Sequence, residues 1–124
     1  MRRAALVSVL LVVVAGVALF GFLRARDDSL PFDRDTWVRS AEALQSPRFP
    51  MAKSLVKSGT LRGKSRAEVV SLLGESFPVS DFPGWDAVYY LGANQDAYMP
   101  IDPAWLVIRF DGNSNVETYR IISG

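Results

Sequence analysis

Gly63-Lys64-Ser65, placed just ahead of an apolar run, is the segment of this chain that comes nearest to a phosphate-binding motif. A glycine turn, a lysine and a hydroxyl can together cradle a phosphate at a helix start. The complete pattern needs a second glycine where Ser58 stands, and Gly59 is one place off. It also needs a buried strand in front, whereas the residues ahead of Leu61 read as a helix. Lys64 and Ser65 are therefore assigned to a turn and a helix cap, and nucleotide binding is not expected. Asp111-Gly112-Asn113-Ser114-Asn115 has the composition of a calcium loop. Such a loop requires glycine at its sixth place and a bidentate glutamate at its twelfth, and those places hold Val116 and Ile122. A hairpin turn accounts for Gly112 and both asparagines without a metal.

Carboxylate pairs remain as candidates for acid–base work. Asp81 and Asp86 share one loop, and Asp96 and Asp102 share another, but no spacing makes the four converge. The chain has no histidine and no cysteine. That removes the commonest general base, the commonest metal ligand and any thiolate nucleophile. No catalytic, cofactor-binding or metal-binding residue is therefore expected, and neither is a small-molecule substrate. What the two loops do carry is aromatic and apolar surface: Phe77, Phe82 and Trp85 in the first, Tyr98, Met99 and Ile101 in the second. Some of these side chains must fold back as lids over the sheet, yet a small domain has limited room to hide so many. Those left outside form an apolar patch of the kind that marks a protein interface. Phe82, Trp85, Tyr98 and Met99 are the expected partner-binding residues.

The elements that position these loops can be read from spacing. Ser65 and Glu68 have the capping-box interval, so the Ser65 hydroxyl and the Glu68 carboxylate each satisfy the other's backbone N–H. Val69, Leu72 and Leu73 follow on one helical face, and Gly74 stands where a left-handed residue would close the helix. Upstream, Asp33 or Asp35 can cap a helix with Trp37, Ala41 and Leu44 on one stripe, stopped by Pro47. Pro50 suits the first turn of a second helix through about Lys57, presenting Met51 and Leu55, with Ser58-Gly59 as its end. Downstream, Ala87–Gly92 and Ala104–Asp111 read as strands, the second alternating Leu106, Ile108 and Phe110 with Val107 and Arg109. A hairpin over Asp111–Asn115 returns the chain as a third strand through Ile122. Two long loops, Glu75–Asp86 and Ala93–Pro103, separate these elements.

The motif Leu61-x-Gly63-Lys64-Ser65-x-x-Glu68-Val69-x-x-Leu72-Leu73-Gly74 resembles the signature of the SmpA/OmlA family. Its members include the E subunit of the β-barrel assembly machine. Arg48, Met51 and Leu55 are similar to the helix that precedes this signature in related stand-alone domains. Tyr90-Leu91-Gly92 and Trp105 through Asp111 are similar to two of the family's strands. The likeness runs from roughly Phe32 to Ile122, with the motifs in the family's order. It implies helices gathered on one face of the sheet and a non-enzymatic role in outer-membrane or envelope assembly. Family members in that machine are lipoproteins, whereas this chain has no cysteine to carry a lipid.

Ala4 to Leu23 is apolar but for Ser8. As a helix it would reach about 30 Å, the thickness of a bilayer core. A signal peptide cut after Gly16-Val17-Ala18 is the alternative, leaving the domain free in the periplasm, but that cut would expose Leu19-Phe20-Gly21-Phe22-Leu23 at the new terminus. The uncleaved anchor is the expectation, with Arg2 and Arg3 inside and, as the resemblance implies, the domain on the periplasmic side. Arg2, Arg3, Arg24 and Arg26 flank this run and take four of the 14 basic residues. The remaining 10 face all 13 acidic ones, a net of −3 from Asp27 onward. A mildly acidic domain has no electrostatic footprint for a phosphate backbone, so no nucleic-acid partner is expected.

The expected architecture is α+β: a membrane anchor over residues 1–28, then one domain over 29–124. In that domain two or three short helices pack on one face of a three-stranded antiparallel sheet. The expected function is an envelope protein-interaction or scaffolding module. An inhibitor-like binder of an envelope enzyme is the alternative.

Overall fold

The computed structural model describes residues 29–99 and 101–124. The expected anchor, Ala4–Leu23, lies outside them. So does Pro100, one of the prolines that ends the second loop. No described helix is long and apolar enough to cross a membrane.

Among the described residues three helices precede three strands: α1 Arg34–Arg39, α2 Arg48–Ser58, α3 Arg66–Leu73, β1 Ala87–Ala93, β2 Pro103–Phe110 and β3 Val116–Ser123. The strands form an antiparallel meander in the order β1-β2-β3. Each hairpin joins neighbours, so β1 and β3 are the edges. Ala87, Tyr89 and Leu91 alternate into the core with Ala104, Leu106, Ile108 and Phe110, and with Tyr119 and Ile121 beside them. The register sets Tyr89 opposite Leu106 and Leu106 opposite Ile121, which aligns these rows on one face. Trp37, Phe49, Met51, Leu55, Leu61, Val69 and Leu73 fill the same core from the helical layer.

Each helix is cut to length by its local chemistry. α3 starts at the capping box: the Glu68 N–H donates to Ser65 Oγ and the Ser65 N–H donates to Glu68 Oε1, both at 3.1 Å. It presents Val69 and Leu73 fully to the core and Leu72 only partly. Gly74 ends it with φ 86° and ψ −173°, an extended mirror-image conformation rather than the expected left-handed helical one. Only glycine adopts that region readily, so the residue type is right and the cap geometry differs. α2 begins at Arg48, with Pro47 as its cap residue and Pro50 in its first turn, and Gly59 closes it in the left-handed conformation.

α1 departs from expectation. Asp33 caps it, but the helix stops at Arg39, so Ala41 and Leu44 do not continue the Trp37 stripe. Both are exposed, Leu44 at 62%. The reason lies on β1. The Leu44 carbonyl accepts the N–H of Ala93 at 2.7 Å, and a Cβ on Gly92 would lie 2.8 Å from the Ala43 carbonyl. The segment after α1 is spent on covering a sheet edge, where a helix could not offer its carbonyls sideways.

The opposite face of the sheet is also covered. Val88 and Val107 are fully buried but lie outside the helical core. The Glu75–Asp86 loop closes over them. Its Phe77 N–H donates to the Val88 carbonyl at 2.9 Å, forming a one-residue bridge with β1.

Candidate functional site

Trp105 is the hub of the covered back face. Phe77, Phe82 and Tyr90 stand around it with ring centroids at 5.1, 4.8 and 5.2 Å, all tilted or edge-on. Such tilted contacts match the negative face of one ring to the positive edge of another. Tyr90, Trp105 and Ile122 form one cross-strand row, so the loop rings sit on a platform made by all three strands. Trp85 lies toward the other end of this face, with the guanidinium groups of Arg109 and Arg120 at 5.5 and 5.2 Å from its ring.

Beside this cluster an open cleft of about 590 Å³ follows the β1 edge. It exists because the edge is covered in two places with a gap between. Ser76 and Phe77 satisfy Val88: Ser76 Oγ accepts the Val88 N–H at 2.8 Å, and Phe77 bonds as above. Leu44 satisfies Ala93. Between them the cleft exposes parts of Phe77, Tyr90 and Trp105, with Glu42 and Glu75 also lining it.

Arg48 lies in the same cleft, only 7% exposed. Its Nε donates to the Trp37 carbonyl at 2.6 Å and its Nη1 to the Tyr90 carbonyl at 3.4 Å. Its guanidinium also sits 4.6 Å over the Trp37 ring. Among the described residues no carboxylate is within ion-pair reach of it. Burial pulls its pKa below the usual arginine value, and the nearby Tyr89 opposes that. Tyr89 itself is pushed up to about 12, first by burial and then by the Glu75 charge, with Arg48 and Arg66 acting the other way. Its hydroxyl donates to the Gly74 carbonyl at 3.0 Å.

The four expected contact residues divide between two places. Phe82 and Trp85 are half-buried against the back face, whereas Tyr98 is fully exposed and Met99 is 62% exposed. Among the described residues no hydrogen bond or ring contact joins the two loops. Phe77, Tyr90 and Trp105 were not singled out as site residues by sequence reasoning. The alternation of β2 does set Trp105 opposite the core, whereas the sequence leaves open which of Tyr89 and Tyr90 shares that face, and the register decides it for Tyr90. What alternation does not reveal is that a loop leaves part of that face open.

Two of the four loop aspartates hold structural partners with their side chains. Asp86 Oδ2 accepts the Phe110 N–H at 2.8 Å, and Asp96 pairs with Lys53 at 3.1 Å. Asp111 Oδ1 accepts the N–H groups of Asn113 and Asn115 at 2.8 and 3.1 Å, which organises the hairpin. The Gly63-Lys64-Ser65 segment is held against that hairpin. The Lys64 carbonyl accepts from Val116, and the Arg66 N–H donates to Ser114, both at 2.8 Å. Among the described residues no group of three or more acidic side chains is gathered as a metal site. No family model, no curated protein and no solved structure matches the chain.

Proposed function

We propose that this chain is a non-enzymatic protein-interaction or scaffolding module of the cell envelope. In this reading it is anchored in the inner membrane by Ala4–Leu23, with the domain on the periplasmic side. An extended segment of a partner protein lies in the cleft along the β1 edge. The observation that carries it is the cleft itself: an interrupted sheet edge flanked by Phe77, Tyr90 and Trp105, with the Arg48 guanidinium in its wall. Arg48 already takes the Tyr90 carbonyl within this gap, so the partner is held chiefly by the adjacent rings, which offer the rigid apolar anchors that carry most interface energy. The likeness of the Leu61–Gly74 segment to the SmpA/OmlA signature supports an envelope role.

Phe77 is the informative position, because it is 51% exposed and contributes little to the core. Full-length chain carrying Phe77→Ala is compared with the unaltered chain by pull-down from detergent-solubilised membranes and by thermal melt. The expected result is loss of the recovered partner, by about 2 kcal/mol of binding energy for an anchor ring, with the melt within about 1 kcal/mol of the parent. Full recovery with both Phe77→Ala and Tyr90→Ala overturns the cleft as the contact surface. Recovery of a barrel-assembly complex supports the scaffolding role, and recovery of a soluble envelope enzyme supports the inhibitor-like alternative.

A further inference from the structure

The second long loop has a firm base and an apolar tip. Asn94 donates from Nδ2 to Ser123 Oγ at 2.6 Å, and its N–H donates to the Asp102 carbonyl at 2.7 Å. Gln95 Nε2 reaches the Ser46 carbonyl at 3.0 Å, and Lys53 holds Asp96. These bonds tie the base to β3, α2 and the segment before it. Beyond them Tyr98 is fully exposed, Met99 is 62% and Ile101 72% exposed. Three large side chains are thus held in water by a braced loop, at a cost that single scattered exposed residues do not carry.

The position of this tip is the second observation. Leu30, the residue through which the chain enters the domain, bonds to the Pro50 carbonyl and lines a cavity of about 410 Å³ with Phe49, Gln95 and Asp96. The loop base and the chain's point of entry are therefore neighbours. Upstream of Leu30 lies the apolar run ending at Leu23. The intervening stretch spans roughly 25 Å even when fully extended. A run that sits in a bilayer would hold this side of the domain within that reach of the lipid surface, and the opposite end of the sheet, at the Asp111–Asn115 hairpin, farther away.

We propose that Tyr98, Met99 and Ile101 bed into the interfacial layer of the bilayer that holds the N-terminal run, fixing the orientation of the domain on the membrane. This rests on the anchor reading above. A tyrosine beside two aliphatic side chains suits that layer, where an amphipathic ring keeps its hydroxyl wet while apolar neighbours insert about 5–10 Å. Seated this way, the loop turns from a solvent liability into a second attachment point, and the β1-edge cleft faces a defined direction.

The absence of native cysteine permits a direct test. Full-length chain with Tyr98→Cys, and separately with Asn113→Cys, is labelled with an environment-sensitive fluorophore and reconstituted into phosphatidylcholine nanodiscs. Spin-labelled phosphatidylcholine with its quencher high in the acyl chain is then added to the disc composition. The expected result is a blue-shifted emission at position 98 and quenching there at least about twofold stronger than at 113, as insertion into the headgroup–acyl boundary requires. Chain that enters the discs but shows equal, weak quenching at both positions overturns this proposal and leaves the anchor standing. Chain that fails to enter the discs overturns both. A label at 98 that stays in water in discs but crosslinks to a protein in native membranes assigns the loop to a protein contact instead.

Discussion

Arg48 grips Trp37 twice: its Nε donates to the Trp37 carbonyl at 2.6 Å, and its guanidinium lies 4.6 Å over the Trp37 ring. Trp37 in turn donates from Nε1 to the Leu73 carbonyl at 3.0 Å, so one buried pair joins α1, α2 and the end of α3. Arg48→Met keeps much of the aliphatic stem but removes the guanidinium donor from the Trp37 and Tyr90 carbonyls, the first of which keeps only the Ser40 N–H at 3.3 Å. We expect a loss of about 1–3 kcal/mol, seen as a lower denaturation midpoint. Arg48→Lys should recover little of it, because an ammonium cannot serve the two carbonyls and the ring in one plane.

The two leucines at the end of α3 separate by burial. Leu73 is 1% exposed while Leu72 is only partly covered. Leu73→Ala should cost about 2–5 kcal/mol, which is a large share of the stability of a domain this small. Leu72→Ala should cost less, and Ser65→Ala about 1 kcal/mol through loss of the cap. Thermal melts of the three variants would rank them in that order. Equal melts for Leu72→Ala and Leu73→Ala would contradict the orientation of α3.

Gly92 has no tolerance for a side chain. Its φ is 80°, and an added Cβ meets the carbonyls of both Ala43 and Leu44. Gly92→Ala should cost at least about 1–3 kcal/mol from backbone strain alone, with the clash in addition. Gly63→Ala makes the control. It shares a positive φ but meets nothing within 4 Å, so it should destabilise less by chemical denaturation.

Two shifted groups, Glu68 and Tyr89, make stability depend on pH from opposite sides. Glu68 is held below the usual carboxylate range by the Ser65 N–H first and the Ser65 hydroxyl second. A lowered folded value means that its contribution is present above pH about 4 and fades as pH falls through the folded value. Glu68→Gln should therefore flatten the acid limb of a stability curve. Tyr89 works in the opposite sense. Its raised value of about 12 means its contribution is complete below the ordinary tyrosine value and is lost as pH climbs from there toward 12. Tyr89→Phe should remove that alkaline loss while forfeiting the bond to Gly74, a separation that melts at neutral and alkaline pH would show.

Local chemistry in the sequence determined a good deal of this protein. The Ser65–Glu68 box, the Gly59 and Gly74 helix ends and the alternation of β2 each depend on residues a few positions apart, and each stands where spacing placed it. The lack of histidine and cysteine likewise bounds the chemistry before any fold is known. Tertiary structure alone decided what the connecting segments do. Trp37, Ala41 and Leu44 have helical spacing, yet the chain gives up the helix at Arg39 because the β1 edge, far along the sequence, needs the Leu44 carbonyl. The aromatic loops, alike in composition, part company for the same reason. Phe82 packs edge-on against the ring of Trp105, whereas Tyr98 is carried beyond a base tied to α2 and β3 and meets no ring among the described residues. Burial of a loop side chain depends on which distant surface is left uncovered, and that surface exists only once the sheet has formed.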